Sequence, residues 1–314
     1  MAARPPWALV LAGGEGTRLQ ELTREITGQP IPKQYCRIYR GRSLLETTLE
    51  RASLFAARSR LAVVLNQDHV TLYAPQVVRI SADNLVRQPC NRDTGPGVAL
   101  GLLHLARRDP EATVALLPCD QFVDDEAAFV TYLSRAAAAV ARYPDKVAVL
   151  GIKPDEPSCE LGYVEVAGRV LDDPRAFAVD AFHEKPDLGT ARRLIRQGAL
   201  WNSFVMVFRV RRMLELLEEN VPCEFGRIRR LSVRPSEFAA GYQGLEPWNF
   251  SRDFLRRIAR HLVVIPVEGV HWSDWGTRAS IARTFEKLNE PVPWTVPRVL
   301  ANAAREGVVR QRGR

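Results

Sequence analysis

Residues 7–19 read WALVLAGGEGTRL, an apolar run that passes directly into a glycine-rich turn. Short apolar runs of this kind form inner strands of a sheet, and glycine lets the backbone of the next turn approach a ligand closely. In open α/β sheets, ligands bind beyond the carboxyl ends of the strands. Arg18 adds a permanent cation that can hold phosphate through two hydrogen bonds. The segment therefore predicts a polyphosphate site at the end of the first strand.

The spacing of this turn differs from two common phosphate-binding motifs. The Walker motif needs Gly-Lys-Ser/Thr, and the dinucleotide motif G-x-G-x-x-G has Leu19 here in place of its last glycine. Taken alone, the turn is also compatible with a tight βα connection that binds nothing.

Outward from this segment, short apolar runs alternate with amphipathic stretches, as in βα units around a largely parallel sheet. Strands are predicted at residues 7–11, 61–66, 85–87, 113–117, 146–152, 177–182, 202–208 and 262–267. Helices are predicted at residues 44–57, 97–107, 126–143, 188–197, 211–220, 252–261 and 277–288. Residues 154–175, rich in Pro, Asp and Gly, are predicted to place a hairpin and loops over the sheet.

The composition is typical of a folded globular protein. The 314 residues are 46% hydrophobic and 25% charged, with 20 glycines and 21 prolines, which excludes collagen-like and disordered classes. The longest apolar runs are six residues, whereas a membrane span needs roughly 18. We therefore expect a cytoplasmic protein with no membrane partner. One continuous α/β domain is predicted over residues 1–288, followed by a loosely held tail at 289–314.

Charge and metal-ligand patterns narrow the function further. The net charge is +8, but the arginines are dispersed without interleaved aromatic residues, so no nucleic-acid partner is predicted. The five cysteines include no C-x-x-C pair, which favours reduced thiols over disulfides or a zinc site. No G-x-S-x-G motif is present, and hydrolase chemistry is not indicated.

Two aspartates are candidate metal ligands. Asp120 follows the apolar run 113–117 and should project at the sheet edge, while Asp274 lies between Trp272 and Trp275, which would hold its backbone and exclude water. Mg²⁺ typically takes one or two carboxylates together with substrate oxygens and water. Ordinary capping or turn roles for these aspartates are the alternative.

The glycine-rich turn and a second segment, Pro30-Ile31-Pro32-Lys33-Gln34, together resemble the sugar-nucleotide pyrophosphorylases, nucleotidyltransferases that act on sugar 1-phosphates. Further segments are similar to motifs of the mannose-1-phosphate guanylyltransferases within that family. Residues 88–96, 117–121, 161–164, 182–187, 201–203 and 272–276 resemble E-P-x-x-R-N-T-A-P, P-x-D-H, G-Y-I, F-x-E-K-P-D, W-N-S-G and W-S-D-V-G, respectively.

The resemblance implies a Rossmann-like three-layer α/β/α nucleotidyltransferase fold with a mostly parallel mixed sheet. It also implies transfer of GMP from GTP to mannose 1-phosphate, giving GDP-mannose and pyrophosphate, with Mg²⁺ as cofactor. In that reaction a sugar phosphate oxygen attacks the α-phosphorus in line, and no catalytic base is required because the nucleophile is already an anion. The stand-alone form, without an isomerase domain or β-helix, is expected, and so is a homodimer.

Each candidate site residue is assigned a role on these motifs. Arg18, Lys33 and Lys185 are the catalytic cations, with Lys185 on the sugar phosphate, and Asp120 and Asp274 are the metal ligands. The nucleotide-binding residues are Leu11, Gly13, Gly14, Gly16, Thr17, Asn91, Arg92 and Thr94. The residues that bind the sugar phosphate are Gly162, Glu184 and Asn202.

Several residues depart from the family motifs. Phe204 replaces the glycine of W-N-S-G and could close the sugar pocket, and Gln121 replaces the histidine of P-x-D-H. Asp93, Gly95 and Gly97 alter the R-N-T-A-P-A segment, and Trp275 and Thr277 alter the last motif. Arg92 and Asp93 are expected to pair, with Asp93 accepting from a guanine edge.

Two other functions stay open. One is a transferase with another base and sugar, such as dTTP or UTP with glucose 1-phosphate. The other is a non-catalytic paralogue that binds a nucleotide sugar and regulates a partner, an alternative that Phe204 raises.

Overall fold

The computed structural model describes residues 4–169 and 175–294. Within these residues the strands are β1 Trp7–Ala12, β2 Leu61–Asn66, β3 Leu85–Gln88, β4 Thr113–Pro118, β5 Phe122–Val123, β6 Val147–Ile152, β7 Tyr163–Arg169, β8 Phe177–His183, β9 Leu200–Arg209, β10 Leu262–Val267 and β11 Trp272–Ser273. The α-helices are α1 Gln20–Thr27, α2 Leu44–Phe55, α3 Val70–Tyr73, α4 Thr94–Arg108, α5 Glu126–Arg142, α6 Leu188–Arg196, α7 Val210–Asn220, α8 Pro222–Leu231, α9 Pro235–Gln243 and α10 Arg278–Lys287.

Nine of the described strands form one sheet in the order β3-β2-β1-β4-β9-β6-β10-β8-β7. β1 pairs in parallel with β2 and β4, β2 with β3, and β6 with β10, whereas β8 and β9 run against their neighbours. The start of β9 also pairs with β7. The sheet is therefore mixed with most strands in one direction, as predicted.

Alternate residues of β1 enter two cores on opposite faces of the sheet, because successive side chains of a strand point to opposite sides. Ala8 and Val10 pack with α2, α5 and α6, while Trp7 and Leu9 pack with α4, α7 and α8. This arrangement confirms the predicted three-layer α/β/α fold. A third apolar cluster joins α1 to α10 through Leu22, Ile281 and Phe285.

The predicted elements agree with the structure at most positions, and four helices were not predicted: α1, α3, α8 and α9. The predicted helix at 252–261 is instead a π turn, Phe250–Phe254, followed by a 3₁₀ helix, Leu255–His261, whose Ile258 leaves helical geometry. The prediction for 154–175 was wrong in its placement. β7 joins the main sheet and pairs with β8 rather than lying over the sheet.

The first residues of the predicted tail, 289–294, contact the domain. Glu290 accepts hydrogen bonds from Arg40, and the Arg278 guanidinium lies 4.9 Å from the centre of the Trp294 ring. Residues 295–314 of that tail lie outside the described residues. Among the described residues, none of the helices combines the length and the apolar composition of a membrane-spanning segment.

Candidate active site

A cavity of about 320 Å³ opens at the carboxyl ends of β1 and β4 and extends to β7 and β9. Twelve of the predicted site residues line it: Leu11, Gly13, Gly14, Gly16, Lys33, Asn91, Thr94, Asp120, Gly162, Glu184, Asn202 and Asp274. The other four, Thr17, Arg18, Arg92 and Lys185, are not part of its lining. The fold thus brings the nucleotide, sugar and metal candidates into one space.

The glycine-rich turn is fixed by side chains that the sequence did not single out. Gln34 Nε2 donates to Gly14 O at 2.6 Å, Tyr35 Oη donates to Ala12 O at 2.6 Å, and Gln88 Nε2 donates to Gly13 O at 3.1 Å. A Cβ on Gly13 would lie 2.4 Å from Gln88 Nε2, so a larger residue at this position would displace the Gln88 amide. Amide and phenol donors thereby hold the backbone of the turn at the wall of the cavity.

A second, two-stranded sheet brings together the loops that carry Asp120 and Asp274. β5 follows Asp120 by two positions, β11 directly precedes Asp274, and the two strands pair with Trp272 opposite Val123. Trp275 is fully buried and stacks on Phe122 at 5.1 Å, which holds the Asp274 turn against β5. The expectation that the tryptophans fix this turn is confirmed.

Lys33 connects the two aspartate loops. Its Nζ donates to Asp274 O and Trp275 O, each at 2.8 Å, and lies 3.4 Å from Asp120 Oδ2. The lysine is 7% exposed, so these partners supply the hydrogen bonds that a buried ammonium requires. Lys33 lines the cavity but its ammonium is directed at the aspartate loops, and its predicted contact with the triphosphate remains a prediction.

Arg18 lies at the rim of the cavity and is paired. Its Nη1 donates to Glu160 Oε2 at 2.5 Å, and Glu160 itself lines the cavity. A Cβ on Gly276 would lie 3.8 Å from Arg18 Nη2, which places the guanidinium beside the Asp274 turn. Glu160 was not predicted, because a single acidic residue in a loop carries no pattern.

The predicted base loop contacts the segment before the π turn. Asp93, at φ 66°, caps α4 by accepting from Thr94 N and also accepts from Asn249 Nδ2 at 3.1 Å. Thr94 Oγ1 accepts from Phe250 N at 2.9 Å. The prediction that Arg92 pairs with Asp93 is wrong. Arg92 donates to Gln243 O instead, and the Asp93 carboxylate faces the start of α4 and Asn249.

The sugar candidates lie together at the other end of the cavity. Asn202 N donates to Gly162 O at 2.8 Å, and a Cβ on Gly162 would lie 2.9 Å from Glu184 Oε2. Burial raises the pKa of Glu184 above its usual range, against the opposing influence of Lys185 and Arg252. Lys185 is exposed and lies outside the cavity lining, so its predicted contact with the sugar phosphate stays a prediction.

Phe204 lines the sugar end of the cavity. It lies where the register between β6 and β9 shifts, at φ 61°, a conformation that favours glycine. Its ring meets Phe250 edge to face at 5.8 Å. Phe204 is thus part of the cavity wall, and the expectation that its ring closes the sugar pocket stays a prediction.

Gln121 has a structural role at the cavity. It is buried, its Oε1 accepts from Trp272 Nε1 at 2.9 Å, and its Nε2 donates to Ser203 O. The amide therefore ties β11 to the strand that carries Asn202.

Comparison with known proteins agrees with the motifs. The sequence profile of the family described as Nucleotidyl transferase matches residues 7–290. The Xanthan biosynthesis protein XanB of Xanthomonas campestris pv. campestris (strain B100) is 34% identical over 217 residues, 68% of this chain and 44% of XanB. The mannose-1-phosphate guanylyltransferase of Escherichia coli (strain K12) is 34% identical over 233 residues, 71% of this chain and 46% of that protein. The chain spans about half the length of these curated relatives.

Solved structures share the fold. A crystal structure described as mannose-1-phosphate geranyltransferase from Thermus thermophilus matches with a TM-score of 0.79 and 28% identity, over 90% of this chain and 79% of that chain. A structure of mannose-6-phosphate isomerase from Helicobacter pylori matches with a TM-score of 0.66 over 86% of this chain and 99% of that chain. Its identity of 18% shows likeness of fold alone.

Proposed function

The chain belongs to the nucleotidyl transferase family, and from this membership we propose that it transfers GMP from GTP to mannose 1-phosphate, giving GDP-mannose and pyrophosphate. The name of the Escherichia coli relative supports the choice of base and sugar. The motif resemblance over the sugar segments points the same way. We also propose a cytoplasmic location, because the proposed donor is a nucleoside triphosphate.

One observation carries the proposal: Asp120 and Asp274 line the same cavity as the glycine-rich turn and the sugar candidates Glu184 and Asn202. A phosphate-transferring enzyme must hold two anionic substrates side by side and neutralise their charge. The paired strands β5 and β11 carry both carboxylates to the wall of the cavity that also contains the groups proposed for the nucleotide and for the sugar. A purely nucleotide-binding module has no need of both.

We propose that Asp120 and Asp274 hold the Mg²⁺ ion. Both carboxylates line the cavity, and no cluster of three or more His, Cys, Asp or Glu suited to a metal occurs among the described residues. This donor set fits Mg²⁺, which commonly combines one or two carboxylates with phosphate oxygens and water. When bound, the ion would supply charge neutralisation at the reacting phosphates.

The residues of the chain act by positioning. The glycine-rich turn, fixed by Gln34 and Gln88, would hold the triphosphate, and Asn202 and Glu184 would hydrogen-bond the sugar hydroxyls. A sugar phosphate oxygen then bonds to the α-phosphorus while the bond from the α-phosphorus to the bridging oxygen breaks and pyrophosphate leaves. Lys33 would hold the Asp120 and Asp274 loops in position during this reaction.

The test is pyrophosphate release by the purified chain with Mg²⁺. GTP, dTTP, UTP, ATP and CTP are each paired with the 1-phosphates of mannose, glucose, galactose and N-acetylglucosamine. We expect the highest rate with GTP and mannose 1-phosphate. A maximum at another pair would keep the chemistry and change the specificity, whereas binding of a nucleotide sugar without turnover of any pair would favour the regulatory alternative.

Variants connect that activity to the site. Asp120→Asn and Asp274→Asn should lower turnover by about a hundredfold or more, since each removes one charged group that positions the reacting phosphates. The matched control is Asp83→Asn, an exposed carboxylate just before β3, which should keep wild-type turnover. Full activity in either site variant would contradict the proposed metal site.

A further inference from the structure

The connection between β6 and β7, residues 153–162, carries three carboxylates that all pair with cations of other elements. Asp155 pairs with Lys287 and Glu156 with Arg283, both on α10. Glu160 instead reaches across to Arg18 at the end of the glycine-rich turn. Of the three pairs, the last links the connection to the predicted phosphate site.

The backbone that presents Glu160 is held in place. Tyr163 is fully buried, its Oη accepts from Ser158 N at 2.9 Å and donates to Ser158 O at 3.1 Å, and Glu160 N donates to Ser158 Oγ at 3.1 Å. Exchange of the Glu160–Arg18 pair therefore needs rotation of two side chains and no movement of the connection.

The pair itself is easily exchanged. The side chains of Arg18 and Glu160 are 59% and 51% exposed, and an ion pair between exposed groups contributes little because water and salt screen it. The pair is a single contact from Arg18 Nη1 to Glu160 Oε2, whereas arginine–phosphate contacts are frequently bidentate and charge-assisted. Glu160 also lines the cavity, so its negative charge faces the space into which an anionic substrate enters.

We propose that Glu160 is an affinity-setting residue that competes with the nucleoside triphosphate for Arg18. In the free protein the carboxylate occupies the guanidinium, and the phosphates of the incoming nucleotide displace it. This inference rests on the proposed function for the nature of the anion. It explains why Arg18 lies at the rim, paired with Glu160, rather than in the lining of the cavity.

The experiment measures binding without turnover. Calorimetry determines the Kd of pyrophosphate and of GTP, each with Mg²⁺ and without sugar phosphate, for the wild type, Glu160→Gln, Arg18→Gln and the double variant. Glu160→Gln should bind both probes about two- to fivefold more tightly, the range in which exposed ion pairs act. The gain should shrink at high salt, because salt weakens the pair in the wild type.

The double variant separates competition from general repulsion. If Glu160 acts by occupying Arg18, the gain disappears in the Arg18→Gln background. An equal gain in that background would overturn the proposal, because Glu160 would then repel the nucleotide without involving Arg18. Unchanged or weaker binding by Glu160→Gln would overturn it as well, and Glu160→Ala repeats the test with the carboxylate removed entirely.

The control is Glu156→Gln, which removes a carboxylate of the same connection whose partner is Arg283. Its Kd for either probe should stay at the wild-type value.

Pyrophosphate carries no base, so its binding does not depend on which nucleotide the protein prefers. Failure of this inference can therefore be distinguished from failure of the proposed function. Tighter pyrophosphate binding by Glu160→Gln without turnover of any substrate pair would sustain this inference and refute the proposed function, whereas turnover with no effect of Glu160→Gln would do the reverse. A wild type that binds neither probe would overturn both.

Discussion

Phe204 is an aromatic residue held in backbone geometry that glycine prefers. At φ 61° an L residue costs about 1 kcal/mol or more relative to glycine, and the ring's contact with Phe250 offsets part of that cost. The family motif has glycine at this position. At the register shift of β9 this chain therefore has a large side chain in backbone geometry that glycine would adopt without strain, and that side chain lines the cavity.

Comparison of two truncations tests this strain. Phe204→Ala and Phe204→Gly lose the same ring contact, but only the glycine variant relieves the backbone. Phe204→Gly should be more stable than Phe204→Ala by roughly 0.5–1 kcal/mol in urea unfolding. This is the difference between about 1–2 kcal/mol of relieved backbone strain and the about 0.5–1 kcal/mol by which glycine in a strand is otherwise worse than alanine. Equal stabilities, or a more stable alanine variant, would show that the left-handed geometry at this position is not retained.

Glu184 gives a pH prediction with a defined sign. Burial raises its pKa in the folded state, so protonation favours folding and stability is lost as the pH rises through the folded pKa. Glu184→Gln, which stays neutral, should therefore be more stable than the wild type at pH 8, and the difference should shrink toward pH 4. Urea unfolding at both values measures it.

The exposed Glu286→Gln variant is the control for that comparison, and its stability should stay within about 0.5 kcal/mol of the wild type at both pH values. A Glu184→Gln effect of the same size at pH 4 and pH 8 would contradict the titration of this half-buried carboxyl. Lower turnover in the more stable Glu184→Gln variant would accord with a carboxylate kept for binding the sugar.

At the scale of elements, α2 and α10 begin with the same kind of N-cap but lie in different parts of the molecule. Ser43 accepts from Glu46 N at the start of α2, and Thr277 accepts from Ser280 N at the start of α10. α10 begins just after the Asp274 turn, whereas α2 supports the sheet from one face. The cap of α10 should therefore matter for the site as well as for stability.

We expect Ser43→Ala and Thr277→Ala each to lower the free energy of unfolding by about 1 kcal/mol, the usual effect of losing an N-cap. Thr277→Ala should also lower turnover by roughly tenfold, because small displacements of positioned groups reduce rates strongly. Urea unfolding and pyrophosphate release on both variants provide the measurement. Equal turnover losses in the two variants would indicate that the cap of α10 has no particular connection to the site.

At the scale of the whole molecule, substrate binding should stabilise the fold. The cavity is lined by residues that lie between Leu11 and Asp274 in the chain and come from several strands of the sheet, so a ligand there binds the folded state alone. At about 100 times its Kd, GTP with Mg²⁺ would add about 2.7 kcal/mol, which corresponds to a rise in Tm of roughly 5 °C for a chain of this size.

Thermal unfolding with GTP and Mg²⁺, and with GTP and excess EDTA, tests the metal dependence of that stabilisation. The shift should fall by more than half with EDTA and in Asp120→Asn or Asp274→Asn, while Asp83→Asn should keep it. A shift that is the same with and without Mg²⁺ would contradict metal-assisted binding.

The agreement between predicted and observed elements depends on their local patterns. β2 and β10 begin and end at the predicted residues, because long apolar runs identify buried strands on their own. α8 and α9 were missed because both are short, begin at proline and bury few residues each. The helical residues 252–261 were identified as helical, but π and 3₁₀ geometry is imposed by packing around Phe250 and Phe254 and leaves no periodic signal.

The sequence by itself determined the α/β class, the position of the glycine-rich turn and twelve of the residues that line the cavity, because these depend on short motifs and local periodicity. Tertiary structure alone decided three further features. It brought Asp120 and Asp274 together through two strands of two residues each, it directed Lys33 to their loops, and it placed Glu160 on Arg18. These contacts join residues far apart in the chain, and no local preference of the backbone specifies which distant groups will meet.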